Sequence, residues 1–202
     1  MPKLLLATGN PGKLREYYSL LREAPFSLTT PVDEDIYIEV DETGHTIEEN
    51  ARMKAIAYVK GSKFLVLADD SGLEVDALKG APGPLSARYA GENSSDDERI
   101  ALVLSNLKEV PWEKRSARFR CVIAIASASG IIGLCEGECH GIITFEPSGN
   151  KGFGYDPIFY LPELGKTMAE LDLEEKNQLS HRGKAAQKAL QVLEYLRQEL
   201  KQ

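Results

Sequence analysis

Between Arg120 and Glu136 the chain carries no charge: Cys121 to Cys135 reads CVIAIASASGIIGLC. A run of this kind calls for burial, in a bilayer or in a protein core. It falls short of the roughly 20 residues that cross a bilayer, and Ser127, Ser129 and Gly130 interrupt it. The remaining reading is two buried strands joined by a turn at Ser129-Gly130. Phe119, Cys121 and Ile123 alternate with Arg118, Arg120 and Val122, and the pattern predicts antiparallel strands over 116–145.

Ahead of this β-rich centre, strands and helices alternate. An apolar strand at Lys3–Ala7 leads into the turn Thr8-Gly9-Asn10-Pro11-Gly12-Lys13 and a helix near Gly12–Glu23, followed by a short strand at Ser27–Thr30. Thr46 and Glu49 form a capping box that opens a helix to about Lys60; Ser95 and Glu98 form another before a helix carrying Ile100, Val103, Leu104 and Leu107. A second apolar strand at Phe64–Ala68 ends in Asp69-Asp70-Ser71-Gly72. The last helix, Arg182–Lys201, presents Ala186, Leu190, Leu193, Leu196 and Leu200 as one packing stripe. These elements predict an α/β protein with a mixed, twisted sheet, one unit over residues 1–202 without repeats or linkers. Ligands of such sheets sit beyond the carboxyl ends of strands, where both polar turns are expected.

The net charge of -7 argues against broad binding to a nucleic-acid backbone, but leaves room for a local basic pocket that holds a small phosphorylated ligand. The first residues run directly into a strand pattern, so no N-terminal targeting signal is expected. Three cysteines form no disulfide framework, which suits a reducing cytoplasm. Cys135 and Cys139, followed by His140, raise a metal reading. On a strand those thiols lie about 13 Å apart at ~3.3 Å per residue, too far to share a zinc at ~2.3 Å bonds. Buried strand cysteines are the expected outcome.

The turn at residues 8–13 is no P-loop. Only two residues separate Gly9 from Gly12, and Leu14 stands where a magnesium-binding Ser or Thr belongs. It can still hold an anion: a helix N-terminus offers free N–H groups and the positive end of the dipole, Thr8 and Asn10 add side-chain donors, and Lys13 adds a charge. The alternative is an ordinary strand–helix turn with an exposed lysine, and these six residues do not choose between the two.

Asp69 and Asp70 stand where an apolar strand is expected to stop. Adjacent carboxylates repel, and burying both without a cation is expensive. Mg²⁺ resolves this, binding through one or two carboxylates and substrate phosphates. Successive strand residues face opposite sides, so one aspartate faces the site more directly. Glu42 is a more distant ligand candidate. An acidic turn capped by Gly72 is the plain alternative; the neighbouring anion turn favours the metal reading. Near the end of the chain, Gly152–Phe159 (GFGYDPIF) offers aromatics that can stack on a base, and Lys176, His181 and Arg182 can donate to its oxygens. Taken singly, each of these residues reads as readily as core or cap.

Together and in order, TGNPGK, ADDSGLEVDALKGAPGPLSARYAG, GFGYDPIF and SHRGKA resemble the inosine triphosphate pyrophosphatase family, from the first strand to the last helix. The resemblance implies an elongated two-lobed α/β fold with the active cleft between lobes, usually a homodimer. It implies Mg²⁺-dependent hydrolysis of ITP, dITP and XTP to the monophosphate and pyrophosphate. By position, Thr8, Gly9, Asn10, Pro11, Gly12 and Lys13 match the triphosphate-binding turn, and Lys54 a further phosphate contact. Asp70 matches the general base and metal-associated acid, with Asp69 and Glu42 as metal partners and Ser71 beside the substrate. Phe153, Gly154, Tyr155 and Asp156 match the base-pocket segment; Lys176, His181 and Arg182 match the base-reading groups. Pro84-Leu85 departs from the bulkier apolar–aromatic pair of relatives, which bears on local loop shape.

A pocket of donors suits the 6-oxo acceptor of hypoxanthine or xanthine and leaves donors unpaired against adenine, a discrimination worth factors of ~10⁴. The expected chemistry is attack of a water on the α-phosphorus, with Asp70 as base and Lys13 and Lys54 supporting the charge. Two rivals share these residues: a pyrophosphatase for other modified or ordinary nucleotides, and a non-catalytic nucleotide sensor. Nucleic-acid or membrane partners are not expected.

Overall fold

In the computed structural model, which describes residues 1–199, the uncharged run lies in the middle of a seven-stranded open sheet. The strands are β1 (Lys3–Leu6), β2 (Ser27–Thr29), β3 (Leu65–Val75), β4 (Ser116–Ser127), β5 (Gly130–Ile143), β6 (Phe159–Leu161) and β7 (Lys166–Thr167), in spatial order β2-β1-β3-β4-β5-β6-β7. β2, β1 and β3 run parallel, as strands joined through helices do. From β3 to β7 every pairing is antiparallel, so the sheet is mixed as expected. The helices are α1 (Pro11–Leu20), α2 (Ile47–Ser62), α3 (Asp96–Asn106), α4 (Leu173–Leu179) and α5 (His181–Glu199). The expected capping boxes open α2 and α3; α4, with its own box of Asp172 and Glu175, was not anticipated. Leu200 and Lys201, assigned to the last helix from its stripe, lie outside the described residues.

The period of two along the strands explains the uncharged run. Leu4, Leu6, Leu67, Cys121, Ile123 and Ile125 face one side, beneath Tyr17 and Leu21 at α1 and Ala185, Ala186, Ala189 and Leu193 of α5. Leu5, Val66, Ala68, Val122, Ala124 and Ala126 face the other, beneath Ile47, Ala51, Ala55 and Val59 of α2. Both faces of β4 are therefore covered, and neither accepts a charge without loss. Further along, Leu73, Val75 and Phe119 enter a separate core with Ile100, Val103 and Leu107 near α3 and with Ile158 and Phe159. β3 and β4 thus run through two packed bodies, which gives the molecule its two lobes.

One expectation fails. The strand predicted to end at Ala68 continues to Val75, so Asp69, Asp70, Ser71 and Gly72 sit inside β3 and not beyond its end. β4 supports them throughout, with Asp69 opposite Ile123 and Asp70 opposite Val122. On the other side β1 ends at Leu6, paired with Leu67. From there to the isolated bridge between Glu74 and Pro82 that edge of β3 has no partner strand, and Asp69, Asp70 and Ser71 lie along it. The three cysteines are free and buried, in line with the strand reading. No helix among the described residues is long and apolar enough to cross a membrane.

Candidate active site

The cleft opens in the notch left where β1 stops and β3 continues. It encloses about 360 Å³, within the usual range for small-molecule sites. Of the residues singled out from sequence, Thr8, Gly9, Asn10, Lys13, Glu42, Lys54, Asp70, Ser71, Phe153, Gly154, Tyr155, Asp156, Lys176, His181 and Arg182 line it. Pro11, Gly12 and Asp69 are not among the lining residues.

The turn is arranged differently from the free-N–H picture. Asn10 is the N-cap of α1, and its Oδ1 accepts from Gly12 N at 2.8 Å and Lys13 N at 3.1 Å. Those two amides are used internally by the Asn10 side-chain oxygen and are not free for an anion. A Cβ on Gly12 would lie 2.5 Å from the Phe153 ring, whereas one on Gly9 would meet nothing within 4 Å. Gly12 is thus a packing requirement for the aromatic wall, and Gly9 keeps the exposed bend unobstructed.

The two aspartates point to opposite sides of β3, as adjacent strand residues must. Asp69, on the α5 side, is buried. Its carboxylate meets Lys13 Nζ at 3.0 Å and Arg182 Nε at 3.3 Å. Burial pushes its pKa up, but Lys13, Arg182 and Lys54 outweigh that and hold it well below the usual carboxylate range. Asp70, on the α2 side, accepts from Asn50 Nδ2 at 3.1 Å and from the Ser71 amide at 2.9 Å. Burial raises its pKa; Lys13 and Lys54 offset this only in part, and Glu42 adds to the rise. The unpaired edge of β3 also contributes: the Asp69 carbonyl, free of a ladder partner, accepts from Lys54 Nζ at 3.0 Å. Lys54 pairs with Glu42 as well, and despite burial Glu42, Asp69 and Asp70 hold its pKa above the usual value.

At the far end, the base-pocket candidates are knitted together by Glu16, a residue that sequence reasoning missed. Glu16 is buried in α1. It binds Lys176 Nζ at 2.7 Å and Arg182 Nη1 at 2.6 Å. Burial alone would raise its pKa; Arg182 and Lys176 bring it below the usual value. Lys176 also pairs with Asp156, and Arg182 Nη2 donates to Ser71 Oγ at 2.8 Å. The Lys176 ammonium and Arg182 guanidinium lie 4.9 and 5.5 Å from the centroid of the Phe153 ring. His181 stacks on Phe119 at 4.7 Å, and its Nδ1 is buried without a partner among the described residues. Burial, then Arg182 and Lys176, push its pKa well down, so the ring is neutral at pH 7. Tyr155 anchors its segment through Oη to the Ser86 carbonyl at 2.8 Å. Asn50, one helical turn before Lys54, is the missed residue with a legible signal: the i, i+4 spacing puts both on the face of α2 that meets β3.

For Mg²⁺, the donor set is the test. Among the described residues no group of three or more His, Cys, Asp or Glu side chains forms a metal cage. Mg²⁺ is commonly held by one or two carboxylates with water and substrate phosphates, and Asp70 with Glu42 fits that pattern. Asp69, with Lys13 and Arg182 on its oxygens, fits less well.

The fold and cleft define an open-sheet α/β protein that places a carboxylate, two lysines and an aromatic wall around one polyanion-sized space. The chain belongs to the Ham1 family, whose model matches residues 4–192. It is 51% identical over 200 residues to the dITP/XTP pyrophosphatase of Desulforamulus reducens, covering 98% of this chain and 100% of the relative. It is 46% identical to the Bacillus subtilis protein of the same name, covering 96% and 98%. Among solved structures, a HAM1 protein from Coxiella burnetii superposes with a TM-score of 0.87 at 43% identity, over 96% of this chain and 100% of that one. The family resemblance carried by the four motifs is borne out.

Proposed function

We propose that this protein is a nucleoside triphosphate pyrophosphohydrolase that converts dITP, ITP and XTP to the monophosphate and pyrophosphate. The observation that carries the reading is convergence: Asp70, Lys13 and Lys54, from three different elements, line one cleft with an aromatic base wall. The names of relatives at 46 to 51% identity support the substrate class.

Lys13 and Lys54 neutralise the triphosphate and orient it along the bare edge of β3. Asp70 accepts a proton from a water as the water oxygen bonds to the α-phosphorus. The bond from that phosphorus to the bridging oxygen then breaks, and pyrophosphate leaves. The raised pKa of Asp70 suits this role, because a more basic carboxylate is the better proton acceptor. Asp70 and Glu42 would hold Mg²⁺, which supplies charge neutralisation at phosphate oxygens when bound. Asp69 stands behind them as a fixed counter-charge for Lys13 and Arg182. Phe153 offers a stacking face, and Lys176, neutral His181 and Arg182 supply polar groups that match a 6-oxopurine and leave adenine's amino group unmatched. A homodimer in a reducing cytoplasm belongs to the same reading, on the family resemblance and the three free thiols.

The test is pyrophosphate release across ITP, dITP, XTP, GTP, ATP and dTTP, with and without Mg²⁺. The reading expects turnover of the first three at least ~10²-fold above ATP and its loss on chelation. Equal turnover of all six shifts the assignment to a general pyrophosphatase. Tight ITP binding without pyrophosphate release makes the protein a nucleotide sensor.

A further inference from the structure

The aromatic turn Phe153-Gly154-Tyr155 belongs to no strand or long helix, and Gly152 and Gly154 adopt left-handed backbone with φ of 75° and 63°. Such a segment needs external bonds to hold one position. One of these comes from α3, which shares a core with Tyr155: the Gly154 amide donates to Asp96 Oδ2 at 2.7 Å, across a separation of 58 residues. Asp96 opens α3, and its other oxygen is held by Arg99. Arg99 is itself anchored on the Ser94 carbonyl at 2.9 Å and on the Ala87 carbonyl. Asp96 and Arg99 both line the cleft. The turn's second anchor, Tyr155 on Ser86, reaches the same 3₁₀ segment, Gly83–Arg88. Within the turn, the Phe153 amide is spent locally on Asp156 at 2.9 Å. The Asp96 bond is therefore the charged tether on the residue next to the stacking ring.

We propose that Asp96 is a positioning residue that fixes the height of the Phe153 face against the nucleobase, and so sets affinity for the base and not for the phosphates. The proposal rests on the nucleotide reading for its ligand, but its structural half does not. Asp96 also favours α3 as an acid in the first turn, and Asp97→Ala isolates that effect, because Asp97 is an exposed acid of the same turn.

Two measurements on the full chain decide the matter. Without nucleotide, amide hydrogen exchange of the peptide spanning 150–156 should quicken about tenfold in Asp96→Ala, the loss of one charge-assisted hydrogen bond. It should stay unchanged in Asp97→Ala, and Asp96→Asn, which keeps an acceptor oxygen, should recover most of the protection. In inhibition assays, Asp96→Ala should weaken IMP about tenfold and leave inorganic pyrophosphate unchanged. Unaltered exchange in Asp96→Ala, equal effects in the two alanine variants, or matching losses for IMP and pyrophosphate each overturn the proposal. If the unsubstituted protein binds neither IMP nor pyrophosphate, the nucleotide reading fails and takes the base-affinity claim with it. The exchange measurement still decides whether Asp96 holds the turn.

Discussion

Asp69 and Asp70 share a strand, a backbone and a cleft edge, yet the two sides of β3 give them opposite duties. On the α5 side, Asp69 is enclosed by Lys13 and Arg182, and Arg182 is in turn bound by Glu16. That side is a network of buried charge in which each acid is paired with a cation, while Lys13 and Arg182 also line the cleft. On the α2 side, Asp70 has an amide side chain and one backbone N–H as partners, with Lys54 committed to Glu42 and to the Asp69 carbonyl. Its carboxylate is buried without an ion-pair partner of its own among the described residues. A fully paired carboxylate is fixed and weakly basic; an under-paired one is basic and available. One site thus keeps a rigid frame and a reactive group on neighbouring residues.

The comparison breaks most visibly through activity. Asp70→Asn keeps the shape and one of the two acceptor oxygens while removing the proton acceptor. Pyrophosphate release from ITP should fall at least ~10²-fold, with the thermal midpoint retained or raised. Near-normal turnover at saturating Mg²⁺ would remove Asp70 from the mechanism. Asp69→Asn should act first on stability, because it strands Lys13 and Arg182 without their shared anion. The loss expected on breaking a buried pair is about 3–5 kcal/mol, measurable by urea unfolding. A loss below about 1 kcal/mol would show that the network does not depend on Asp69.

The two acids also give opposite signs in the pH dependence of stability. Asp69, with its pKa depressed by folding, contributes stability above the ordinary carboxylate range, and that stability is lost as pH falls toward its folded value. Asp70, with its pKa raised, favours the folded state at low pH and subtracts from stability once pH exceeds its folded value. Unfolding of Asp69→Asn should therefore show a shallower acid limb than the unsubstituted protein, and Asp70→Asn a steeper one. The smallest effect sharpens the role of the turn. Gly12→Ala drives a methyl into the Phe153 ring and should cost about 1–3 kcal/mol, while Gly9→Ala should stay within about 0.5 kcal/mol. Equal costs would mean that the aromatic wall does not rest on α1.

Much of this arrangement was legible because its causes are local. The uncharged run signals burial on both faces of β4, and the boxes Thr46–Glu49 and Ser95–Glu98 each close within one helical turn. What escaped depends on partners distant in sequence. Asp69-Asp70-Ser71-Gly72 has the composition of a loop; it is held as strand by the β4 ladder, with cations that arrive from α1, α2 and α5. Glu16 looks like any charged residue of an amphipathic helix, and its burial follows from Lys176 and Arg182, some 160 residues away, entering the same space. The short strands β6 and β7, of three and two residues, carry too little pattern to be read.

Site-resolved titration of the Asp69 and Asp70 carboxyl carbons by NMR tests the division of labour most directly. The account predicts Asp70 titrating above the ordinary aspartate value and Asp69 remaining ionised well below it. Titration of both at the ordinary value, or of Asp69 above Asp70, would contradict it.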